Sequence, residues 1–262
     1  MLLALTRAVP PSIDRCELTH LDRTPIDYAQ AVREHATYED ALRQAGCVVQ
    51  RLPELPDNPD SVFVEDTVVV IDELAVIARP GALSRRGEVD SMADALRPLR
   101  RLAYIEAPGT LDGGDVLVTP GKVFVGITER TNAEGARQLG AHIAPFGYKT
   151  FPVPVAGCLH LKSAVTLCAI ELPAKAGSCL TINSNFIDPS IFRDFQLIEV
   201  DPTEPMAGNV LLVENRVICA EEHPLTTRRI QAFGLVTLPV PARELAKAEG
   251  GVTCCSVLVR VA

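Results

Sequence analysis

Five times along this chain, a polar or reactive residue stands just in front of an apolar, strand-like run. Acid pairs stand before the first two runs, and a histidine, an asparagine and a cysteine stand before the other three. The five segments are FVEDTVVV (63–70), LDGGDVLV (111–118), HLKSAVTL (160–167), AGNVLL (207–212) and GVTCCSVL (251–258). A repeat that carries such residues at equivalent strand ends can gather them at one point, although they are far apart in the chain.

After each segment, the chain repeats one order of elements: strand, strand, helix, strand. Hairpins are indicated by β-branched runs around turn residues, and helices by apolar residues at helical spacing. The helix of the second unit is predicted to be capped by Thr131, with Glu134 three residues on. The predicted hairpin, helix and third strand lie at 67–78, 85–99 and 102–108 in the first unit and at 115–126, 131–144 and 149–154 in the second. In the third unit, the two strands of the hairpin are predicted at 163–172 and 178–183, followed by 189–195 and 196–201, and in the fourth unit the elements lie at 209–220, 225–234 and 235–240.

The fifth unit is split between the two ends of the sequence. Residues 254–262 and 2–9 predict its first two strands, 28–46 an amphipathic helix, and 47–53 its third strand. Strands from both ends would close a ring of repeats, as in propellers. We therefore predict a five-bladed α/β propeller of ββαβ units, with a period of roughly 45 residues, over a single domain spanning 1–262. A generic α/β sandwich with hairpins is the alternative.

Composition narrows the function classes. With 47% hydrophobic and 22% charged residues, the chain has the balance of an ordinary soluble globular protein. It contains no apolar run of bilayer length and no signal-peptide pattern at its start. The net charge of −8 argues against a nucleic-acid partner. Without a secretory signal, the eight cysteines are expected to be thiols in a reducing cytoplasm, and they lack zinc-ligand spacing. We therefore expect a cytoplasmic protein without metal, nucleic acid or membrane contacts, and a homodimer through a blade edge is plausible.

Cys254 is the candidate nucleophile. It follows Gly250 and Gly251, where missing side chains would let a ligand approach the backbone. A cysteine acts as a nucleophile where positive charge stabilises its thiolate. For any one of eight cysteines, a buried structural thiol is the simpler interpretation. Cys255 would point to the opposite face of a strand, so we assign it a structural role.

His160 would reach the same central cavity from the start of the third unit. A histidine there could donate a proton to a leaving amine and later accept one from water. A hydrogen-bonded core histidine is the alternative. Asp112 could orient the imidazole, as carboxylates do in catalytic triads, or it could be a turn aspartate beside two glycines.

Asp60, Glu65 and Asp66 form an acidic cluster. Their carboxylates repel one another unless a cation lies between them. A guanidinium is suitable because it is planar, always charged and rich in donors. A solvated acidic loop is the simpler interpretation. Arg85 and Arg130 follow the first two hairpins and could bind a substrate carboxylate, or merely supply charge at the start of a helix.

Taken together, these motifs resemble the dimethylarginine dimethylaminohydrolases of the guanidine-modifying, or pentein, superfamily. The resemblance runs in family order over almost the whole chain and implies the same five-bladed α/β propeller. The matching segments are PDSVFVED (59–66), ARPGALSRRGE (78–88), EAPGTLDGGDVL (106–117), RTNAEGARQ (130–138), HLKS (160–163) and GGVTCCS (250–256).

The resemblance also implies roles for single residues. Cys254 would be the nucleophile, His160 the general acid and base, and Asp112 its partner. The substrate would be held by Asp60, Glu65 and Asp66 at the guanidinium, by Arg85 and Arg130 at the carboxylate, and by Leu18 of a lid and the backbone of Ala248. Glu249 stands where family members often have aspartate, and Ala248 is smaller than the usual aliphatic residue.

The implied activity is hydrolysis of Nω-methylated L-arginine to L-citrulline and methylamine or dimethylamine, through a covalent intermediate on Cys254 and without a metal or organic cofactor. The partner is therefore expected to be a small-molecule substrate. Arginine deiminase and amidinotransferase are related alternatives, although both are typically longer chains. A non-catalytic guanidine-binding protein is an alternative of another class, since fold does not fix function.

Overall fold

The structure is a computed structural model that describes residues 1–172 and 177–261. The strands of this part of the chain form five separate three-stranded sheets. In chain order they are β1 (Leu2–Thr6), β2 (Cys47–Arg51), β3 (Val68–Val70), β4 (Leu74–Ile77), β5 (Arg101–Tyr104), β6 (Val116–Thr119), β7 (Lys122–Ile127), β8 (Lys149–Pro154), β9 (Val165–Ala169), β10 (Cys179–Ile182), β11 (Gln196–Glu199), β12 (Leu211–Val213), β13 (Arg216–Ala220), β14 (Val236–Val240) and β15 (Val257–Arg260).

Helices connect the second and third strands of four of the five sheets. They lie close to the predicted positions, because each has an apolar face that packs between neighbouring sheets. The described helices are α1 (Tyr28–Gln44), α2 (Val89–Leu96), α3 (Ala133–Ile143), α4 (Leu161–Ala164), α5 (Pro224–Ala232) and α6 (Arg243–Ala246). In the third unit, a 3-10 helix at Pro189–Phe192 takes this place.

Every sheet has the same pairing. Its middle strand runs antiparallel to the strand of the hairpin and parallel to the strand that follows the helix. In the first complete unit, β4 pairs antiparallel with β3 and parallel with β5. A parallel neighbour requires a long crossover, which the helix supplies. The predicted ββαβ repeat is therefore confirmed.

Five clusters of buried side chains hold the sheets in a ring, because each cluster is shared by two neighbouring sheets. Successive residues of β4 show how: Ala75 and Ile77 belong to one cluster, whereas Leu74 and Val76 belong to the next. Side chains of a strand alternate between its two faces, so each sheet is covered on both sides. The fifth cluster joins β12–β14 to β1, β2 and α1, so that the last sheet packs against the first. This arrangement confirms the five-bladed α/β propeller.

The sheet at the junction of the two chain ends has β1 in the middle. It pairs antiparallel with β15 and parallel with β2. The backbone amine of Met1 also donates to the carbonyl oxygen of Val261 at 2.8 Å. The fifth unit therefore takes its strands from both ends of the chain, as predicted.

A short turn precedes the first strand of each sheet, and the reactive residues lie within this turn or directly beside it. It is helical in three units, at Val64–Thr67, Gly113–Asp115 and Leu161–Ala164. In the other two units, turns lie at 205–208 and 252–255. Cys254 and Cys255 are thus turn residues, and the prediction that a strand begins at 254 is wrong, because β15 begins at Val257.

The predicted cap of α3 is also wrong. The side chain of Asn132, not of Thr131, caps this helix by accepting from the backbone N–H of Gly135 at 2.8 Å. The Thr131 hydroxyl instead accepts from the backbone N–H of Asp112 at 3.0 Å. Thr131 therefore supports the candidate site rather than the helix end.

Two further features concern the whole chain. All eight cysteines fall within the described residues, and the structure has each as a buried free thiol. Among the helices that the structure describes, none combines the length and the apolar character needed to span a bilayer.

Candidate active site

His160 stands directly before α4 and lies between two carboxylates. Its Nε2 is 3.1 Å from Oδ2 of Asp112, and its Nδ1 is 3.8 Å from Oδ1 of Asp66. All three side chains are buried. Asp112 is fixed in turn, because its Oδ1 accepts from the backbone N–H of Gly81 at 2.9 Å. The imidazole therefore has one orientation, set from both sides.

The carboxylates around His160 favour its protonated form. Burial lowers the pKa of the imidazole, but the negative charges of Asp66, Asp115 and Asp112 outweigh burial and raise it to about 9. At neutral pH, His160 is thus an imidazolium. An imidazolium in this position can act as a general acid.

Gly114 allows this close grouping. A β-carbon on this residue would lie 2.7 Å from both Oδ1 of Asp66 and Nδ1 of His160. The backbone N–H of Gly114 also donates to Oδ1 of Asp66 at 3.0 Å. The glycine of the LDGGD motif is therefore part of the packing between the first three units.

Asp115 belongs to the site as well, although the sequence reasoning gave it no role. It is fully buried, and its carboxylate accepts from the backbone N–H of Leu161 at 3.0 Å and from the Thr128 hydroxyl at 2.7 Å. Burial raises its pKa to about 6. The carboxylate therefore anchors the helical turn that follows His160. The signal in the sequence was its place as the second acid of the pair in LDGGD.

Cys254 lies in the turn before β15 and is almost completely buried. Its carbonyl oxygen accepts from the backbone N–H of Glu65 at 3.1 Å, and its Sγ accepts from the N–H of Gly251 at 3.4 Å. Burial, together with the charges of Glu65 and Asp66, raises the pKa of the thiol to about 12. In the free protein the group is thus a thiol, not a thiolate.

Protein atoms fill the space beside the two glycines before Cys254. A β-carbon on Gly250 would lie 2.2 Å from the ring of Phe63, and one on Gly251 would lie 2.4 Å from Oδ1 of Asn209. The two glycines therefore leave room for neighbouring side chains that hold the turn. Both also line a cavity with Glu249 and Asn209, so the approach of a ligand to their backbone stays a prediction.

Asn209, the polar residue of the fourth repeat, joins the Cys254 turn to the His160 segment. Its Oδ1 accepts from the backbone N–H of Thr253 at 3.0 Å. Its Nδ2 donates to the carbonyl oxygen of Lys162 and to the Thr253 hydroxyl, both at 3.0 Å. The asparagine was visible as a member of the repeat, but its function as a brace was not.

Glu65 has internal partners on both of its oxygens. Lys162 donates to Oε1 at 2.5 Å and the Thr253 hydroxyl donates to Oε2 at 2.7 Å. Burial raises the pKa of Glu65, and the nearby Lys162 opposes that rise. Glu65 thus links the first, third and fifth units at the centre of the ring.

Arg85 is buried against Asp66 and Glu88. Its Nη1 donates to Oδ2 of Asp66 at 2.5 Å, and its Nε and Nη2 reach Glu88, with Nη2 also donating to the carbonyl oxygens of Asp60 and Phe63. Burial would raise the pKa of Asp66, but His160 and Arg85 lower it to about 2. Asp66 therefore already binds a guanidinium, that of Arg85, and the expected contact from Arg85 to a substrate carboxylate would have to share these partners.

Asp60 and Arg130 both bind the loop at 16–23, which contains Leu18. Burial raises the pKa of Asp60, and its carboxylate accepts from the backbone N–H of Glu17 at 3.1 Å. Arg130 is buried, and its Nη2 donates to the hydroxyl of Thr19 at 3.1 Å. Leu18 is half-buried against a cluster that includes Ala248 and Cys254. The structure thus ties Asp60 and Arg130 to this loop.

Among the described residues, one group has ligand atoms close enough for a metal ion. Atoms of Asp66, Asp112 and His160 lie within 4.8 Å of one another. The carboxylates already accept from Arg85 and from backbone N–H groups, and the raised pKa of His160 favours a proton over a metal. These donors therefore fit proton chemistry better than metal binding.

Known proteins are similar to this chain in both sequence and fold. A family model described as N,N dimethylarginine dimethylhydrolase, eukaryotic, matches residues 19–172. An N(G),N(G)-dimethylarginine dimethylaminohydrolase of Streptomyces coelicolor is 38% identical over 258 residues, which cover 98% of this chain and 96% of that protein. The protein of the same name from Pseudomonas aeruginosa is 34% identical, with 94% of each chain covered.

A solved structure of the Pseudomonas aeruginosa protein, a cysteine-to-serine variant complexed with citrulline, has a TM-score of 0.90 at 33% identity and covers 97% of this chain and 98% of that chain. The N-terminal domain of ArgZ from cyanobacteria, with product bound, has a TM-score of 0.85 at 15% identity and covers 99% of this chain and 98% of that chain. The second likeness concerns the fold alone.

Proposed function

The chain belongs to the dimethylarginine dimethylaminohydrolase family and is an enzyme of the amidine-hydrolase class, and from this premise we propose that it hydrolyses Nω-methylated L-arginine to L-citrulline and methylamine or dimethylamine. One observation carries the proposal: the buried imidazole of His160 lies between the carboxylates of Asp112 and Asp66, and the turn of the buried Cys254 is hydrogen-bonded to Glu65, the neighbour of Asp66. Relatives named N(G),N(G)-dimethylarginine dimethylaminohydrolase support it, and the Pseudomonas aeruginosa protein has been solved in complex with citrulline.

The substrate is held at both ends. Asp60, Glu65 and Asp66 supply negative charge for its guanidinium, which is an electrostatic match in a buried site. At the other end, Arg130 binds the carboxylate. Its guanidinium also donates to the hydroxyl of Thr19, which places it beside the loop at 16–23. Arg85 also binds the carboxylate, which then shares this guanidinium with Asp66 and Glu88. Leu18 and the backbone of Ala248 close over the substrate.

Substrate binding activates the nucleophile. Burial and the carboxylates of Glu65 and Asp66 hold Cys254 in its thiol form, so the resting site is unreactive. A bound guanidinium neutralises these carboxylates and places positive charge beside the sulfur, which lowers the thiol pKa. The thiol proton then leaves to solvent, and the thiolate attacks the guanidinium carbon to form a C–S bond.

His160 completes both halves of the reaction. Its proton passes to the methylated nitrogen, the C–N bond breaks, and the amine departs. An S-alkylthiouronium then remains on Cys254. The neutral imidazole, oriented by Asp112, then removes a proton from water, whose oxygen attacks the same carbon. The C–S bond breaks, and the thiolate recovers a proton from the protonated urea, which is L-citrulline after this loss.

The test is an assay of citrulline and amine release from arginine, monomethylarginine and dimethylarginine. We expect turnover of the methylated substrates, its loss in Cys254→Ser, and near-normal turnover in the control Cys255→Ser. Release of ammonia from arginine alone would assign the chain to deimination instead. Equal loss in both cysteine variants would contradict Cys254 as nucleophile, and binding without turnover of any guanidine would indicate a binding protein.

A further inference from the structure

Glu249, which directly precedes the two glycines of the nucleophile segment, binds the loop at 16–23. Its carboxylate accepts from three successive backbone N–H groups. Thr19 donates at 3.1 Å, His20 at 2.6 Å and Leu21 at 2.7 Å. Converging N–H groups of this kind form a concave site that suits an anion. The chain's own carboxylate fills it.

The backbone of Glu249 is adapted to this contact. Its φ is +58°, in the left-handed region that residues with a β-carbon disfavour. The N–H of Glu249 donates to the carbonyl oxygen of Ala246 at 3.1 Å, and that of Gly250 donates to Leu245 at 3.0 Å. A disfavoured conformation that its surroundings hold in place is typical of positions with a functional constraint.

A second carboxylate holds the same loop on the other side of Leu18. Asp60 accepts from the N–H of Glu17 at 3.1 Å, whereas Glu249 accepts from Thr19 onward. Leu18 thus lies between two anchored residues, one bound to the first unit and one bound to the segment that carries Cys254.

We propose that Glu249 is a positioning residue that clasps residues 19–21 and thereby holds Leu18 over the substrate. The inference rests on the proposed function for its effect on turnover, but the clasp itself is independent of the reaction. The loop must leave the carboxylate before substrate can enter or product can leave. The clasp therefore sets substrate affinity and the release of product. The carboxylate does not act on the reacting atoms.

Amide hydrogen exchange tests the clasp without any assay of activity. In Glu249→Ala, we expect peptides covering 16–23 to exchange about tenfold faster or more, while peptides of α1 keep their protection. Glu249→Gln keeps one acceptor oxygen and should be intermediate. Glu221→Ala, which removes an exposed carboxylate elsewhere, is the matched control. Unchanged exchange at 16–23 in Glu249→Ala would overturn the clasp, whatever the enzyme's substrate.

Kinetics then test the positioning role. Glu249→Ala should raise KM by about tenfold and leave kcat within about twofold, and Glu249→Gln should restore part of the affinity. Alkylation of Cys254 by iodoacetamide should become faster in Glu249→Ala, since the loop covers the thiol less. Faster exchange with an unchanged KM would refute the positioning role. If the wild-type protein turns over no methylated arginine, the proposed function fails, and the exchange result still decides the clasp.

Discussion

Nε2 of His160 lies 3.1 Å from Oδ2 of Asp112, and neither side chain is accessible to more than a trace of solvent. Asp112 cannot turn away, because the N–H of Gly81 binds its other oxygen and Thr131 binds its backbone. The protonation of His160 therefore depends on a carboxylate of fixed position. This dependence leads to a prediction about pH.

The specificity constant kcat/KM should fall as pH rises through about 9, because that is the pKa of His160 in the free protein and the proton it donates is then lost. Asp112→Asn removes one of the charges that raise this pKa, so we expect the alkaline limb of kcat/KM to move to lower pH. We also expect kcat to fall by about two to four orders of magnitude. The measurement is a pH profile of kcat/KM. Asp90→Asn, an exposed substitution with the same change in charge, is the control. An alkaline limb that does not move would contradict the assignment.

Gly114→Ala should abolish most turnover while the protein remains folded. The new β-carbon would lie 2.7 Å from Asp66 and from His160, so one of these side chains must move. Gly87→Ala is the matched control, since no atom lies within 4 Å of a β-carbon there. Steady-state kinetics and thermal unfolding of both variants make the comparison. Similar turnover in the two variants would show that the grouping of Asp66, Gly114 and His160 is not needed for the reaction.

Cys254 should react slowly with iodoacetamide at neutral pH, and its reactivity should still be rising at pH 10, because its pKa is about 12. Glu65→Gln removes one of the charges that raise this pKa. We expect this variant to alkylate about tenfold faster at pH 8, as a shift of about one unit would produce. Mass spectrometry locates the modified cysteine, and Glu73→Gln, at an exposed position, is the control. If Glu65→Gln and wild type alkylate at equal rates, the nearby carboxylates do not restrain the thiol.

The repeat could be predicted from the sequence because its signals are local. Runs such as 67–78 and 115–126 carry their own hairpin pattern, and the helix at 28–44 shows its apolar face within a few turns. Placement of Cys254, His160 and Asp112 came from the repeat, since equivalent strand ends meet at the centre of a ring.

Features that depend on partners remote in the chain could not be predicted in this way. Arg85 is close to Glu88 in the sequence but far from Asp66, and only the fold shows that both carboxylates receive its donors. Glu249 accepts from backbone N–H groups, which almost every residue type supplies, so no side-chain pattern predicts its partners. The LDGGD motif marks Asp115 as an acid of the repeat but does not predict its contacts with Leu161 and Thr128. The onset of β15 at Val257 depends on where the turn that carries Cys254 ends.

The middle position of β1 in its sheet has a consequence for biosynthesis. β1 is made long before its antiparallel neighbour β15, which begins at Val257. Cys254 stands three residues before β15, so the nucleophile and the antiparallel partner of β1 are translated together. The turn that carries Cys254 is then fixed only when these two remote strands join. Such closure between distant segments has a large loop entropy to overcome and should be the slow step of maturation.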